Sequence, residues 1–199
     1  MENSNLIPII VNKLLKEEID TINTWYHGTR SLLPFISFSR EMDGTGIVSS
    51  GKKYGGFFFT SNINNAEFYT EWFICKVTIN NLVDFPNSSH PPTVLKQAII
   101  NKNNYIIKDT LDGSMYSNIA VVPHSNLIDV IIQDWIFVGD KEYYFNALDE
   151  MFGGDEEDDG IIYVTQWIIN SFFNMTGGGL DYVLTIPIFK EYYDTKFEG

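Results

Sequence analysis

The sequence predicts one α+β domain, built from short strands and helices that are interspersed along the chain. Its 199 residues fit the length of a single domain. Apolar residues make up 44% of the chain and aromatic residues 15%, which is enough for a core and excludes a wholly disordered protein. Few clean β–α–β units occur, and this favours the α+β class over a parallel α/β sheet.

Apolar spacing and segment-ending residues define the elements of the first half. In order, we predict a helix over 6–19, a strand over 24–27, a polar loop over 41–53, a strand over 57–60, a helix over 62–72 and a strand over 73–79. Gly28 ends the first strand, and Gly55-Gly56 precedes the second. Asn62 is the residue type that caps a helix N-terminus, so we place the next helix directly after it.

The second half contains the remaining strands and an aromatic C-terminal section. In order, we predict a loop over 86–92, a helix over 93–101, strands over 105–107, 119–122 and 127–132 with a continuation over 135–138, a helix over 141–152, a solvated acidic loop over 153–160, and apolar segments over 161–173 and 182–189 joined by a hinge at 177–179. Residues 1–140 are interpreted as the core and residues 141–199 as an extension. We expect its aromatic side chains, among them Trp167, Phe172 and Phe173, to pack on that core.

Charge and the single cysteine restrict the partners and the compartment. The net charge is −13 and the pI is near 4.5, so the surface repels polyphosphate and nucleic acid is not the expected partner. Cys75 has no second cysteine to pair with, which suits a reducing compartment. No apolar run is long enough to span a membrane, and the N-terminus lacks the basic start of a signal peptide. A cytoplasmic location is therefore expected.

Other familiar sites are not indicated. No pair of His or Cys residues has metal-ligand spacing, so we expect no metal cofactor. The acidic run 155–159 lacks the alternating ligands and central glycine of a calcium loop. The glycines at 177–179 do not lead into the Gly-Lys-[Ser/Thr] of a phosphate loop. Cys75 lies within a strand pattern and is expected to be buried and inert.

Two short motifs bring together glycines, a histidine and aromatic residues. Residues 26–29 read Tyr-His-Gly-Thr, and residues 54–61 read Tyr-Gly-Gly-Phe-Phe-Phe-Thr-Ser. The predicted helix that follows carries Ala66 and Tyr69. Glycine lets a backbone approach a ligand closely, histidine offers a directional hydrogen bond, and two aromatic rings can enclose a third. The set therefore predicts a site for a flat aromatic ligand.

These motifs resemble the His-Tyr-[Glu/Asp/Gln] branch of the ADP-ribosyltransferase fold, which includes the poly(ADP-ribose) polymerases and diphtheria-type toxins. The resemblance implies that His27 hydrogen-bonds the adenosine ribose of NAD, that the Gly28 backbone holds the nicotinamide amide, and that Thr29 lies beside them. Residues 56–60 match the family's second motif, Gly-x-Tyr-Phe-[Ala/Thr]. Within it, Gly56 is kept, and Phe58 stands where the family has tyrosine. The second stacking aromatic is then Tyr69, eleven residues after Phe58.

The third family motif, an acidic or Gln residue near the start of a late strand, is the least well matched. Asn118, ahead of residues 119–123, is nearest to the expected position, but an asparagine cannot carry the negative charge that stabilises a cationic ribose. Asp112 and Asp109 lie in the predicted preceding loop and would supply the charge if that loop folds back. We carry three candidates for the catalytic residue, in the order Asp112, Asp109, Asn118.

The resemblance spans roughly residues 24–132 and implies both a fold and an activity. The implied fold has two small, packed, mainly antiparallel sheets that form an NAD cleft, flanked by helices. The implied activity is mono-ADP-ribosylation of a protein target with NAD as co-substrate and no metal, as in a bacterial or viral effector. The alternative is an inactive module of the same fold that binds through its acidic surface. A relative of the RNA 2′-phosphotransferases is a third hypothesis, which the scarcity of basic residues near the first motif disfavours.

Overall fold

The computed structural model describes residues 23–44, 52–86, 89–112, 115–152 and 179–197. These residues form a mixed α+β structure, so the predicted class is confirmed. The strands are β1 Trp25–Thr29, β2 Gly56–Thr60, β3 Phe73–Ile79, β4 Leu82–Asp84, β5 Asn104–Asp112, β6 Met115–Pro123 and β7 Val130–Phe137. The α-helices are α1 Ile63–Glu67, α2 Pro91–Asn101, α3 Lys141–Phe152, α4 Gly179–Val183 and α5 Pro187–Phe197, and 3-10 turns cover Arg40–Met42 and His124–Asp129.

Several predicted segments lie outside the described residues. They are the helix over 6–19, most of the loop over 41–53, the acidic loop over 153–160, the apolar segment over 161–173 and most of the hinge at 177–179. None of the helices in the described ranges is both long and apolar enough to cross a membrane.

The described strands form one seven-stranded sheet in the order β4-β5-β6-β2-β1-β3-β7. Every neighbouring pair is antiparallel except β4 with β5. The expected pair of packed sheets is thus not confirmed, because hydrogen bonds connect all these strands into a single ladder. The pairing between β1 and β2 is the shortest in this sheet, because the two strands share one register pair, Tyr26 with Thr60. By contrast, β1 and β3 are in register from Trp25 to Thr29.

The helix predicted over 62–72 is much shorter in the structure. Its start is confirmed, because the Asn62 side chain accepts a hydrogen bond from the N–H of Asn64. Its end was predicted wrongly, since α1 stops at Glu67. The Thr70 hydroxyl donates to the carbonyl of Thr29 at 2.6 Å and accepts the N–H of Phe73 at 3.0 Å. These bonds direct the chain into β3, so the helical turns that were predicted after Glu67 do not form.

The loop predicted between residues 107 and 119 was also wrong. β5 extends into it as far as Asp112 and β6 begins at Met115, and the two strands pair antiparallel with a bulge between Ile107 and Thr110. Asp109, at the bulge, has a φ of 49°, a left-handed conformation that aspartate tolerates better than most residues. The strand predicted over 127–132 starts only at Val130, because a 3-10 turn occupies the residues before it, and it continues to Phe137 as expected.

The described part of the C-terminal section contributes to the main core. Phe189 and Tyr192 of α5 are buried in the same cluster as the aromatic residues of the sheet. The Tyr182 hydroxyl accepts a hydrogen bond from Trp135 Nε1 at 3.0 Å, which ties α4 to β7. Trp167, Phe172 and Phe173 lie outside the described residues, and the division at residue 140 stays a prediction.

Cys75 lies in β3 with no exposed surface, as its strand pattern predicts. Burial raises the pKa of its thiol well above the usual value, because the thiolate would be poorly solvated there. This keeps the sulfur in its unreactive form.

Candidate functional site

A cavity of about 1320 Å³ opens where β1 and β2 meet the β5–β6 pair. Its volume exceeds the roughly 300–1,000 Å³ of typical small-molecule sites and is sufficient for a dinucleotide. The predicted site residues that line it are His27, Gly28, Thr29, Gly56, Phe58, Tyr69, Asp109 and Asp112. Segments distant in sequence thus meet at one site.

The side chain of His27 connects β1 to β2, the two strands whose backbone pairing is shortest. Its Nδ1 lies 2.8 Å from the carbonyl oxygen of Phe58. A carbonyl only accepts, so we assign the proton to Nδ1, which leaves Nε2 as an acceptor in the neutral ring. The rings of Phe38, Phe57 and Phe59 surround the imidazole at centroid distances of 5.2, 5.8 and 5.3 Å. This burial lowers the pKa of His27, so the ring is neutral at pH 7.

The lowered pKa of His27 predicts a pH-dependent stability. Below its ordinary pKa of about 6.5 the unfolded chain binds a proton at this position more readily than the folded chain does. His27 therefore lowers the free energy of unfolding as the pH falls through about 6.5 towards the folded pKa. Well above pH 6.5 the ring is neutral in both the folded and the unfolded chain, and His27 has no such effect. Urea unfolding at about pH 7.5 and about pH 5.5 should show a smaller acid loss of stability in His27→Gln than in wild type. Equal losses in the two proteins would contradict the shift.

Gly28 is required by the close approach of α1. A Cβ atom at this position would lie 2.1 Å from the carbonyl oxygen of Ala66 and 3.1 Å from Cβ of Tyr69. Real Cβ atoms do not tolerate the first distance, and a backbone carbonyl cannot rotate away. The absence of a side chain thus lets α1 pack on β1 and holds Tyr69 against the Gly28 backbone. Gly56 is comparable, with a Cβ position 2.3 Å from the carbonyl oxygen of Val122 on β6.

Tyr69 connects this arrangement to β5. Its hydroxyl donates a 2.8 Å hydrogen bond to Oδ1 of Asp112, the last residue of β5. Asp112 is half-buried and Asp109 is exposed, and both line the cavity from a strand. Among the described residues, Asp112 has its carboxylate oriented by the hydroxyl of Tyr69, whereas Asp109 is bonded to Asn118 only through its backbone N–H, so Asp112 is the better placed of the two carboxylates.

Asn118, the third candidate for the catalytic position, is not among the described residues that line the cavity. Its Oδ1 accepts the N–H of Asp109 at 3.2 Å, a donor that the β-bulge leaves without a partner in the ladder. Its own N–H donates to the Ser61 hydroxyl at 3.0 Å. Asn118 therefore has a clear structural role in holding the bulge, which in turn positions Asp109.

Phe58 lies on the other face of β2 from Phe57 and Phe59. The two neighbours are buried in the main core, whereas Phe58 is half-buried and contacts Tyr54 edge-on at 6.0 Å. Side chains alternate between the faces of a strand, so this arrangement follows directly from the sequence. All three phenylalanines line the cavity.

The charges around the cavity are mainly negative. Glu41, Asp43, Asp109 and Asp112 line it, and Arg30 is the single Lys or Arg among the described lining residues. Asp43 was missed from the sequence because it falls in a segment interpreted as a polar loop. No local signal marks it, because the backbone N–H groups that it accepts, those of Tyr54 and Gly55, are 11 and 12 residues away.

Comparisons with known proteins add no relative. No family model, no curated protein and no solved structure matches this chain. Among the described residues, no three His, Cys, Asp or Glu side chains are grouped as metal ligands would be. The function of this protein must therefore be inferred from the geometry of the cavity.

Proposed function

We propose that this protein binds NAD in the cavity and transfers its ADP-ribose group to a protein. The observation that carries the proposal is the linked set of Gly28, Tyr69 and Asp112 in one cavity with His27. Gly28 packs against Tyr69, and Tyr69 is hydrogen-bonded to Asp112. These residues come from β1, the segment after α1 and the end of β5, so their convergence is not a consequence of closeness in sequence.

The proposed binding mode follows from the groups that each residue offers. The backbone of Gly28 would hold the nicotinamide amide, with Tyr69 and Phe58 as the stacking rings. Nε2 of His27, an acceptor in the neutral ring, would take a hydroxyl proton of the adenosine ribose. Arg30 would face the pyrophosphate. The scarcity of other cations at the cavity is a further reason to prefer NAD over an RNA 2′-phosphate, which carries more charge.

The proposed reaction breaks the bond between C1′ of the ribose and the nicotinamide nitrogen. The bonding electrons leave with nicotinamide and neutralise its ring, while positive charge develops on the ribose. The Asp112 carboxylate, oriented by Tyr69, would stabilise that charge. A nucleophile of the target protein then bonds to C1′ and loses its proton. The net charge of −13 favours a target with a basic surface.

A second candidate is an inactive module that binds NAD or ADP-ribose without turnover. Asn118, nearest to the family's acid position, is engaged in holding the β-bulge, and Phe58 lacks a hydroxyl. The two candidates differ in one measurable quantity, the release of nicotinamide from NAD. Measurable release by the wild-type protein with host lysate supports the enzyme, and NAD binding without release supports the module.

His27→Ala should weaken NAD binding by about 1–3 kcal/mol, or roughly 5- to 150-fold. The change removes the acceptor for the ribose and leaves the Phe58 carbonyl without its donor. Isothermal titration calorimetry of both proteins measures the effect. His90→Ala is the matched control, because His90 also lines the cavity but is exposed, and its affinity should stay within about twofold of wild type. Absence of NAD binding to the wild type would overturn the proposed function.

A further inference from the structure

Asp43 is a buried carboxylate at the cavity wall that the proposed reaction does not use. Its side chain is 3% exposed, and it lines the cavity beside the start of β2. Its Oδ2 accepts the N–H of Tyr54 at 2.9 Å and the N–H of Gly55 at 2.7 Å. These two bonds fix the carboxylate against the backbone.

No lysine or arginine of the described residues forms an ion pair with Asp43. The nearest basic group is His124, whose Nε2 lies 3.2 Å from Oδ2. The angles there are not those of a hydrogen bond, and this buried nitrogen has no hydrogen-bond partner in the described part of the chain. Among the described residues, the negative charge of Asp43 is thus stabilised by the backbone N–H groups of Tyr54 and Gly55, without the fixed positive charge of a guanidinium or an ammonium.

All three polar contacts that the Asp43 side chain makes with described residues involve one oxygen, Oδ2. A carboxylate has acceptor capacity on both oxygens, and Oδ1 is not among the buried unpartnered atoms of the described residues, so it can be reached from the cavity. A ligand hydroxyl that reaches Oδ1 would supply a hydrogen-bond donor. A ligand phosphate would instead bring a second negative charge to the same place.

Asp43 is connected to His27 through two intervening side chains, those of His124 and Phe57. The imidazole of His124, next to Asp43, and the imidazole of His27 both contact the ring of Phe57, at 5.9 and 5.8 Å. His27 and the neighbour of Asp43, His124, therefore flank the same phenyl ring. If His27 holds the adenosine ribose, as the proposed function has it, Asp43 lies at the adenosine end of the cavity.

We propose that Asp43 is a specificity-determining residue that accepts a hydroxyl of the adenosine ribose and excludes dinucleotides with a 2′-phosphate. This inference rests on the proposed function, because it uses the orientation that His27 gives to NAD. A carboxylate that bonds the ribose 2′-hydroxyl selects NAD over NADP in another dinucleotide-binding fold, for the same electrostatic reason.

Calorimetric titration of the whole chain with NAD and with NADP tests the inference. The wild type should bind NADP on the order of 100-fold more weakly than NAD. Asp43→Asn should bring the two affinities to within about fivefold, mainly because NADP binds more tightly. This variant keeps an oxygen for the N–H groups of Tyr54 and Gly55, and urea unfolding verifies that it folds.

Glu41→Gln is the matched control, because Glu41 lines the same cavity but is exposed. It should leave the NAD-to-NADP ratio within about twofold of wild type. Two results would overturn the role of Asp43 and leave the proposed function standing. One is a wild-type protein whose affinities for NAD and NADP lie within about fivefold of each other, and the other is an equal reduction of the NAD-to-NADP ratio by Glu41→Gln and Asp43→Asn. No binding of NAD itself would overturn both, so the two failures are distinct.

Discussion

Asp112→Asn should lower the rate of nicotinamide release by about 100- to 1,000-fold while it changes NAD affinity by less than about twofold. The carboxylate acts on the charge that develops on the ribose as the glycosidic bond breaks, so its effect belongs to the transition state. The asparagine keeps an oxygen to accept the hydroxyl of Tyr69, which preserves the local geometry. Nicotinamide release under single-turnover conditions and calorimetric binding of NAD measure the two quantities separately.

Asp109→Asn is the control for this experiment. Asp109 lines the same cavity and carries the same charge, but it is exposed and no described aromatic hydroxyl orients it. We expect its rate to fall by less than about tenfold, the effect of a more distant charge in solvent. A greater loss in Asp109→Asn than in Asp112→Asn would transfer the catalytic role to Asp109. Unchanged release in both variants would remove both aspartates from the mechanism.

Gly28→Ala should destabilise the fold by about 1–3 kcal/mol or more and weaken NAD binding at least about tenfold. The added methyl group would lie 2.1 Å from the carbonyl oxygen of Ala66, so α1 must move away from β1. That movement displaces Tyr69 and breaks the arrangement that connects it to Asp112. Urea unfolding measures the loss of stability, and calorimetry with NAD measures the loss of binding.

Thr29→Ser provides the control at the neighbouring position of β1. It keeps the hydroxyl that accepts the N–H of Ser31 and removes only a methyl group, so both measurements should stay close to wild type. If Gly28→Ala is as stable as Thr29→Ser, α1 does not pack on Gly28 as closely as described. If Gly28→Ala is destabilised but binds NAD normally, the glycine serves the fold and not the ligand.

Short sequence patterns correctly predicted those strands and the helix cap that depend only on neighbouring residues. The runs over 24–27, 57–60 and 73–79 became β1, β2 and β3 because apolar residues bounded by glycine or polar residues form strands in most contexts. Asn62 capped its helix through a contact two residues away, which the sequence contains entirely. His27, Gly28, Phe58 and Tyr69, which the two motifs and their spacing singled out, all line one cavity.

Tertiary contacts decided what the local pattern could not. The helix over 62–72 stopped early because the Thr70 hydroxyl donates to Thr29, a residue on a different strand. The polar residues around Asp109 read as a loop, yet they form strand because β6 lies alongside and Asn118 satisfies the N–H that the bulge leaves unpaired. β4 was missed, since three residues carry little periodic signal until β5 pairs with them.

The sequence by itself determined the α+β class and the identity of the motif residues, because those depend on composition, spacing and short-range hydrogen bonds. Only the tertiary structure decided that the described strands form one sheet, that Asp112 is the carboxylate joined to Tyr69, and that Asp43 is buried at the same cavity. Each of these depends on groups that are far apart in the chain. Which of these groups pair is determined by the whole fold, because its buried polar groups must all find hydrogen-bond partners at the same time.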